Sequence, residues 1–193
     1  EDTTKSMKKV IVSGANGFIG SSVVKELIKN GIEVIALCTP KHTNNIPDSS
    51  KVTICTFDLR KPYKLTEKLK SINADTFFHF AWIGVDVASR SDTSLQLENA
   101  QLTVECIKAA KQIGCRRFIG AGSIMEKETL RVTLSNGSRP GTNYIYGAGK
   151  LAAHSIGKAV AAEIGIDFIW AILTNAYGPG EKSTRMVNTT IQK

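Results

Sequence analysis

The chain has few of the residues that define metal centres, disulfide-stapled folds or membrane spans. Only four of its 193 residues are cysteine and three are histidine, and the cysteines form no CxxC pair. No apolar run approaches the roughly 18 residues that a transmembrane helix needs. We therefore predict no metal site, no membrane span and four reduced core thiols. The cysteines are Cys38, Cys55, Cys106 and Cys115, and the histidines are His42, His79 and His154.

Blocks of like charge are also missing. Lysine and arginine outnumber aspartate and glutamate by 25 to 17, which gives a formal net charge of +8. The basic residues are spread along the chain, and groups such as Lys8-Lys9 and Arg116-Arg117 are only pairs. A nucleic-acid-binding surface needs a basic patch or stripe. We therefore expect no nucleic-acid partner, but a surface that attracts small anions.

Length and composition favour one globular domain. A chain of 193 residues that is 42% hydrophobic can enclose one good core and is too short for two ordinary domains. Residues 1–6 are polar and patternless, whereas Met7 directly precedes a strand-like run, so we interpret residues 1–6 as a disordered leader or tag remnant. The chain shows no secretory signal pattern, and we expect a cytoplasmic protein.

Short β-branched runs alternate with amphipathic segments along the chain. This alternation predicts right-handed crossovers and a parallel sheet covered by helices on both faces, which is a doubly wound α/β domain. The predicted strands comprise residues 9–13, 33–38, 52–57, 76–81, 116–121 and 167–173, and the predicted helices comprise residues 20–29, 63–71, 95–113 and 143–164. Residues 126–142 are the longest irregular connection, which we interpret as a loop on the substrate side. Ligands of such domains bind beyond the carboxyl ends of the strands.

Three evenly spaced glycines lie between the first predicted strand and the first predicted helix. Gly14, Gly17 and Gly20 form a GxxGxxG pattern. The first allows a sharp turn, the second lets the backbone approach a ligand, and the third lets the helix pack on the strand. They place a helix N-terminus, with its unpaired N–H groups, where a pyrophosphate can bind. Alone the triplet is a weak signal in a chain with 16 glycines, and a structural turn is its simplest interpretation, but its place after the first strand favours a dinucleotide.

The segment SGANGFIG resembles the first-turn fingerprint of the extended short-chain dehydrogenase/reductase family, which includes the nucleotide-sugar epimerases and dehydratases. Ser13 stands where threonine is usual in that family. The resemblance implies a Rossmann fold whose first turn holds the cofactor. The residues implied are Gly14, Asn16, Gly17, Phe18, Ile19 and Gly20.

Two further segments resemble the family at the ends of later strands. In FDLR, Asp58 and Leu59 follow the third strand, where the family contacts the adenine. An aspartate that caps the next turn is the alternative for Asp58. In FHFAW, the resemblance implies that Ala81 and Trp82 line the cofactor. We interpret His79 of the same segment as a packed strand histidine rather than a catalyst.

Two other segments carry the residues that the resemblance implies are catalytic. GAGSIME places Ser123 at the end of the fifth strand, although a serine there could simply bond the backbone. YIYGAGK supplies Tyr146 and Lys150 in the YxxxK spacing of the family. That pair is a weak motif by itself, and its position on the helix after Ser123 makes it stronger.

A spacing of four residues puts Tyr146 and Lys150 on one helix face, so the ammonium can approach both the phenol and a bound nicotinamide ribose. A free phenol titrates near ~10, and positive charge from Lys150 and from oxidised nicotinamide favours the phenolate. Tyr146 can then exchange a proton with a substrate oxygen that Ser123 holds by a hydrogen bond. Hydride transfer is the chemistry of the cofactor.

The resemblance also implies three substrate-binding residues. NAYGPG, beyond the sixth strand, is similar to the N-x-Y-G-P segment of the family, which places Asn175 and Tyr177 near the nicotinamide and the substrate. A Gly-Pro turn is the alternative interpretation. Asn99 matches an asparagine that many members keep near the site, and a helix-surface amide is its alternative.

The segment after the second strand bears on the choice of cofactor. An acidic residue about 20 residues past the glycines would bond the adenine ribose of NAD. This chain has CTPKHT there instead. Thr39, Lys41 and His42 are available for a 2′-phosphate, which favours NADP, although epimerases of this resemblance often use NAD. The point stays open between the two cofactors.

Three positions depart from the family pattern, and we expect them to affect substrate identity more than cofactor binding. Gly149 replaces the usual serine before the lysine, and Ile172 stands where an arginine is frequent. IMEKE replaces a stretch that normally ends in Tyr-Gly.

By this resemblance, residues 7–174 form an NAD(P)-binding domain and residues 175–193 begin the substrate-binding part, which the family continues well beyond this length. The implied function is an NAD(P)-dependent nucleotide-sugar epimerase or dehydratase, with an NADP-dependent carbonyl reductase of the same family as the alternative. A non-catalytic dinucleotide-binding sensor is the alternative from another class. The helices at residues 95–113 and 143–164 resemble the dimer face of the family, so we expect a homodimer.

Overall fold

A six-stranded parallel sheet forms the centre of the domain. The computed structural model describes residues 7–39, 43, 45–137, 139–142, 144–178 and 180. The strands are β1 (Lys9–Ser13), β2 (Glu33–Cys38), β3 (Val52–Thr56), β4 (Thr76–His79), β5 (Arg117–Ser123) and β6 (Asp167–Leu173). Their order in the sheet is β3-β2-β1-β4-β5-β6, and every neighbouring pair is parallel.

Helices connect the strands and cover both faces of the sheet. Within the described residues they are α1 (Phe18–Lys29), α2 (Leu65–Leu69), α3 (Val87–Arg90), α4 (Thr93–Ile113), α5 (Met125–Leu134) and α6 (Tyr144–Ile164), and a 3₁₀ turn at Pro62–Lys64 precedes α2. The long helix α4 has clear local end signals. The Asp92 side chain accepts a hydrogen bond from the Leu95 N–H at its start, and Gly114 ends it with a φ of 99°.

Successive residues of each central strand pack into different layers of the core. In β1, Val10 and Val12 pack with Val24 of α1 on one face of the sheet. Ile11 points to the other face, where Ile107 of α4 and Ala161 of α6 belong to the same buried cluster. Because both faces are covered, the buried strands read as continuous apolar runs. The structure confirms the predicted doubly wound α/β domain.

The strand order reverses at β1, and this reversal locates the candidate site. The chain moves from β1 to β2 and β3 on one side and then crosses to β4, β5 and β6 on the other. The two directions of winding leave a crevice beyond the carboxyl ends of β1 and β4. Ser13 and His79 end these strands and are paired in register.

The predicted loop at residues 126–142 is wrong in its first half, because Met125–Leu134 forms α5. The residues that this helix buries are the polar Glu126 and Thr129, so the segment lacks the apolar stripe by which a helix is recognised in a sequence. Close packing against α6 is possible because position 147 is glycine: a Cβ on Gly147 would overlap Thr129 Oγ1.

Several other predicted boundaries shift by a few residues. Helix α1 begins at Phe18 rather than at residue 20, β4 ends at His79, and β5 continues to Ser123. The helix predicted at residues 63–71 is a 3₁₀ turn followed by the short α2, and α3 was not predicted.

The four cysteines, all of which are described, form no disulfide. Cys38, Cys106 and Cys115 are buried, and Cys55 is half-buried. Burial raises the pKa of both Cys106 and Cys115 to about 12, so these two thiols stay protonated at neutral pH. The interpretation as reduced core thiols agrees with these positions.

No helix in the described part of the chain combines the length and the apolar character that crossing a membrane requires. The same residues contain no cluster of three or more His, Cys, Asp or Glu side chains that could hold a metal ion.

Candidate functional site

The turn between β1 and α1 depends on glycine at two of its three positions. Gly14 has a φ of 68°, and a Cβ there would lie 2.6 Å from the Ala81 nitrogen, so the turn packs directly on the chain that leaves β4. A Cβ on Gly20 would overlap the Gly14 carbonyl oxygen. Gly17 is exposed, and its N–H donates to the Gly14 carbonyl oxygen at 3.0 Å. The backbone at Gly17 is therefore accessible, and its contact with a ligand stays a prediction.

The start of α1 is suited to an anion. Gly17 is the N-cap, no side chain among the described residues caps this end, and the first turn contains no acidic residue. Unpaired N–H groups and the positive end of the helix dipole are thus available to an anion at the carboxyl end of β1. Asn16, Phe18 and Ile19 are half-buried around this turn.

The residues predicted to contact the adenosine half lie at the ends of β2 and β3. Thr39 is exposed directly after β2, whereas Lys41 and His42 lie outside the described residues. Asp58 is exposed and its Oδ1 accepts a hydrogen bond from the Arg60 N–H at 3.1 Å, which is the turn-capping alternative. Leu59 packs against the core. The aspartate therefore has a structural task in addition to any contact with a ligand.

The Lys150 side chain is buried at the centre of the site. Its Nζ donates to the Ala121 carbonyl oxygen at 2.8 Å and lies 3.6 Å from the centre of the Trp82 ring and 5.9 Å from that of Trp170. Burial lowers the pKa of Lys150 to about 7, and the negative charge of Glu126 opposes this shift. The amine is therefore poised to change charge near neutral pH.

Tyr146 lies one helical turn before Lys150 and contacts the same tryptophan. The Trp82 and Tyr146 rings meet edge to face with their centres 6.0 Å apart. The Arg90 guanidinium of α3 lies 5.0 Å from the centre of the Tyr146 ring. The structure thus brings together Tyr146, Lys150 and Trp82, three of the predicted residues, and adds Arg90, which the sequence did not indicate.

Ser123 ends β5 two residues after the carbonyl that Lys150 contacts. Its Oγ accepts a hydrogen bond from the Met125 N–H at 3.2 Å, which is the backbone bond considered as the alternative. A hydroxyl that accepts one hydrogen bond still has its own hydrogen to donate. Ser123 is half-buried and its own N–H donates to Glu126 Oε1 at 2.7 Å.

Two amides of α4 hold the loop that follows β4. Asn99 is buried, and its side chain donates to the Ile83 carbonyl oxygen and accepts from the Ile83 N–H, both at 2.8 Å. Gln96 accepts from the Trp82 indole at 2.9 Å and donates to the Ser89 carbonyl oxygen at 2.9 Å. Asn99 was predicted to bind substrate. In the structure its amide holds the loop at Ile83, and the substrate contact stays a prediction.

His79 is a packed strand histidine, as predicted. Its Nδ1 lies 2.8 Å from Ser13 Oγ and its Nε2 lies 3.2 Å from Thr103 Oγ1. Burial, with a smaller effect of the Lys150 charge, lowers the pKa of His79 to about 3. The ring is therefore neutral at physiological pH and joins β1, β4 and α4.

The residues predicted to bind substrate from beyond β6, Asn175 and Tyr177, are exposed. Ala81 is half-buried at the end of β4, beside the glycine turn. Residues 181–193, which follow Tyr177 in the chain, lie outside the described residues.

Glu126 is the site residue that the sequence missed most clearly. It is buried behind Ser123, whereas the IMEKE departure was interpreted only as a difference in substrate. A charged residue in a segment without apolar periodicity is normally solvent-exposed. The signal in the sequence was the departure of IMEKE from the family pattern. The hydrogen-bond partners of Glu126 can be identified only in the folded structure.

The fold and the topology of the sheet define a Rossmann-type α/β domain. The sequence model of the NAD dependent epimerase/dehydratase family matches residues 10–193. The chain therefore belongs to this family, and the resemblance seen in its motifs is confirmed.

Similar proteins include enzymes with several kinds of substrate. GDP-L-fucose synthase of Sinorhizobium fredii is 24% identical over 96% of this chain and 58% of its own length. Sterol-4-alpha-carboxylate 3-dehydrogenase, decarboxylating, of Dictyostelium discoideum is 31% identical over 50% of this chain and 29% of its own length. The structure of Thermus thermophilus UDP-glucose 4-epimerase in complex with NAD matches with a TM-score of 0.72 at 23% identity, over 90% of this chain and 57% of that one. The chain thus spans less than two thirds of each of these proteins.

Proposed function

We propose that the chain is the cofactor-binding and proton-transferring part of an NAD(P)-dependent nucleotide-sugar epimerase or dehydratase. The observation that carries this proposal is the placement of Tyr146 and the buried Lys150 against one tryptophan at the sheet edge that also carries the glycine turn. Family membership and the nucleotide-sugar relatives support the substrate class.

The residues of the first turn fit a dinucleotide. The uncapped N-terminus of α1 and the exposed backbone of Gly17 suit a diphosphate, and Asn16, Phe18 and Ile19 border it. Leu59, Ala81 and Trp82 would line the rest of the cofactor by the family pattern. A bound nicotinamide supplies hydride transfer.

The protein's own residues supply the proton chemistry. Tyr146 exchanges a proton with a hydroxyl or carbonyl oxygen of the sugar, and Ser123 donates a hydrogen bond to the same oxygen. Lys150 favours the phenolate form of Tyr146 while its amine carries a charge. Because the pKa of Lys150 is lowered to about 7, this support weakens as the pH rises through that value.

Asn175 and Tyr177 are proposed to contact the substrate from beyond β6, and Asn99 to act through the loop at Ile83 that it holds. The homodimer is likewise a proposal. Helices α4 and α6 lie side by side, and Leu97 and Ile156 expose 61% and 51% of their surface, as an apolar contact between subunits would need.

The choice between NAD and NADP is tested by direct binding. The similar UDP-glucose epimerase structure contains NAD, whereas the segment after β2 lacks the acidic residue that bonds the adenine ribose of NAD. We therefore propose binding of a nicotinamide dinucleotide with a preference for NADP. Titration of full-length protein with NADH and NADPH, followed by nicotinamide fluorescence, measures both affinities, and tighter binding of NADH would reverse the preference.

Turnover is tested with full-length protein and UDP-, GDP-, CDP- and dTDP-sugars. Tyr146→Phe removes the proton-transferring oxygen and is expected to abolish product formation while leaving cofactor affinity nearly unchanged. Tyr144→Phe is the matched control, because Tyr144 is on the same helix with Ala148 at the position where a lysine would be needed. Equal rates for wild type and Tyr146→Phe would refute the assignment.

A carbonyl reductase is the second candidate, supported by the similar sterol dehydrogenase. It predicts cofactor oxidation with simple ketones and no change in any nucleotide sugar. A non-catalytic sensor predicts cofactor binding without turnover of either substrate class. The presence of both Ser123 and Tyr146 favours an enzyme over the sensor, because cofactor binding alone needs no proton-transfer pair.

A further inference from the structure

A buried carboxylate lies directly behind the candidate site. Glu126 is 3% exposed and is held by three other elements. It accepts hydrogen bonds from the Ser123 N–H of β5 at 2.7 Å and from the Trp170 indole of β6 at 3.0 Å, and it lies 2.9 Å from Nδ1 of His154 on α6. A buried carboxylate is costly unless its oxygens are paired in this way. Its position is therefore well defined.

The strand next to Trp170 is shaped to admit this arrangement. Gly120 and Gly122 of β5 leave space for the indole, since a Cβ at either position would overlap the Trp170 ring. A Cβ on Gly122 would also lie 2.7 Å from Glu126 Oε1. Any side chain at position 122 would thus displace both the indole and the carboxylate. The position of Glu126 therefore depends on the glycine in β5.

The same arrangement determines the electrostatic surroundings of Lys150. Its direct contacts, the Ala121 carbonyl and the faces of Trp82 and Trp170, carry no net charge. The negative charge of Glu126 favours the ammonium form, while burial favours the neutral amine. Glu126 thus acts on Lys150 from a different helix.

The other titratable groups around Lys150 do not replace this carboxylate. His79 on β4 is neutral, because burial lowers its pKa to about 3. Tyr146 and His154 are on α6 itself, and Arg90 of α3 faces the Tyr146 ring. None of these side chains is a carboxylate, so Glu126 is the anionic partner that the described residues provide.

We propose that Glu126 is a positioning residue: it fixes the strand end that carries Ser123, and its charge favours the protonated form of the buried Lys150. The relevance to catalysis rests on the proposed function, but the effect on Lys150 is a property of the folded protein without substrate. One side chain would thus control the placement of the hydroxyl and the charge of the amine.

The charge of Lys150 can be followed at the tryptophan that covers it. The chain contains two tryptophans, and both face Lys150. Full-length protein labelled with 5-fluorotryptophan gives a ¹⁹F NMR signal for each, assigned with Trp82→Phe and Trp170→Phe. Wild-type protein is expected to show a transition of the Trp82 signal with a midpoint near the pKa of about 7, and Lys150→Met should remove it.

Glu126→Gln retains the shape and removes the charge. It is expected to lower the midpoint of the Trp82 transition by roughly one pH unit or more, a tenfold weaker binding of the proton by Lys150. Glu128→Gln is the matched control, since Glu128 is on the same helix but pairs with Arg131 at the surface. His154→Gln should leave the midpoint near the wild-type value, because the carboxylate remains. An unchanged midpoint in folded Glu126→Gln overturns the proposal.

A second variant covers the case in which Glu126→Gln fails to fold. Glu126→Met also removes the charge, and its apolar side chain suits a buried position. It is expected to lower the midpoint of the Trp82 transition in the same way, and an unchanged midpoint in the folded variant would overturn the proposal. Neither measurement involves turnover, so failure of the proposed enzymatic function would be seen separately in the nucleotide-sugar assay.

Discussion

Arg90 faces the tyrosine that we propose to transfer the proton. Its guanidinium lies 5.0 Å from the centre of the Tyr146 ring, and its Nε donates to the Val85 carbonyl oxygen at 2.9 Å, which fixes its direction. A cation above an aromatic ring stabilises negative charge that develops on the ring. Arg90 therefore adds to the influence of Lys150 on the charge of the Tyr146 ring.

This contact predicts the effect of Arg90→Gln. A cation–π contact at a partly exposed site contributes about 0.5–1 kcal/mol, so we expect turnover of the full-length enzyme at neutral pH to fall about two- to fivefold. The loss should shrink at higher pH, where the phenolate forms without help. Rates measured from pH 6 to 9 check this prediction.

Two further variants separate charge from structure at Arg90. Arg90→Lys keeps a cation and should recover most of the rate, whereas Arg131→Gln changes an exposed arginine paired with Glu128 and should have no effect. An equal loss in the Lys and Gln variants at every pH would show that the guanidinium only holds the Val85 loop.

At the residue scale, local patterns predicted which side chains to examine but not what surrounds them. Tyr146 and Lys150 were recognisable because a spacing of four residues defines one helix face. Their contacts with Arg90 and Trp82, and the effect of the Glu126 charge on Lys150, come from other elements, and no short-range pattern reports such pairs.

At the scale of the elements, α5 shows how packing can replace sequence periodicity. The helix buries two polar residues, and it rests on α6 through Gly147. A Cβ on Gly147 would overlap Thr129 Oγ1 and lie 2.6 Å from the Met125 carbonyl oxygen. The second contact involves backbone, which cannot rotate away.

Gly147→Ala is therefore expected to destabilise the protein, by about 1–3 kcal/mol in the free energy of unfolding, although alanine is the better helix former. Urea unfolding of the full-length protein measures this. Gly157→Ala is the control on the same helix, since its Cβ would meet the flexible tip of Ile107 at 2.9 Å and should be tolerated better. Equal stability of Gly147→Ala and wild type would contradict the close α5–α6 contact.

The strands were predicted far better than this helix. Buried parallel strands are continuous apolar runs, and three of the six have the predicted bounds. The carboxyl end of β5 extends to Ser123 because Gly122 and Ser123 pair with Ile172 and Leu173 of β6. Such pairing depends on the neighbouring strand, so it cannot be inferred from the local sequence.

For the whole molecule, the neutral state of His79 links stability to pH. In the folded chain the pKa of His79 is lowered from 6.5 to about 3 by burial, while the unfolded chain binds a proton normally. The unfolded state thus binds more protons between these two values, and stability must fall as the pH drops below 6.5. Above 6.5 the ring is neutral in both states and the effect vanishes.

We therefore expect wild-type protein to lose up to about 1.4 kcal/mol of unfolding free energy per pH unit below 6.5 relative to His79→Gln. Glutamine is neutral throughout and retains groups that can bond Ser13 and Thr103. Urea unfolding of both proteins between pH 7 and 4 measures the difference. Parallel pH profiles would mean that the folded chain accommodates a charged His79.

The sequence by itself determined the doubly wound architecture, the glycine turn at the first strand and the family. These are encoded by spacings within one or two elements: apolar runs, helical periodicity and three glycines. Only the tertiary structure decided that Asn99 and Gln96 hold the loop after β4, that α5 exists, and that Glu126 and two tryptophans surround Lys150. The physical reason is that burial and charge act through space. The residues that determine the protonation of Lys150 come from β5, β6, α5 and the loop after β4, and these segments meet only when the sheet has formed.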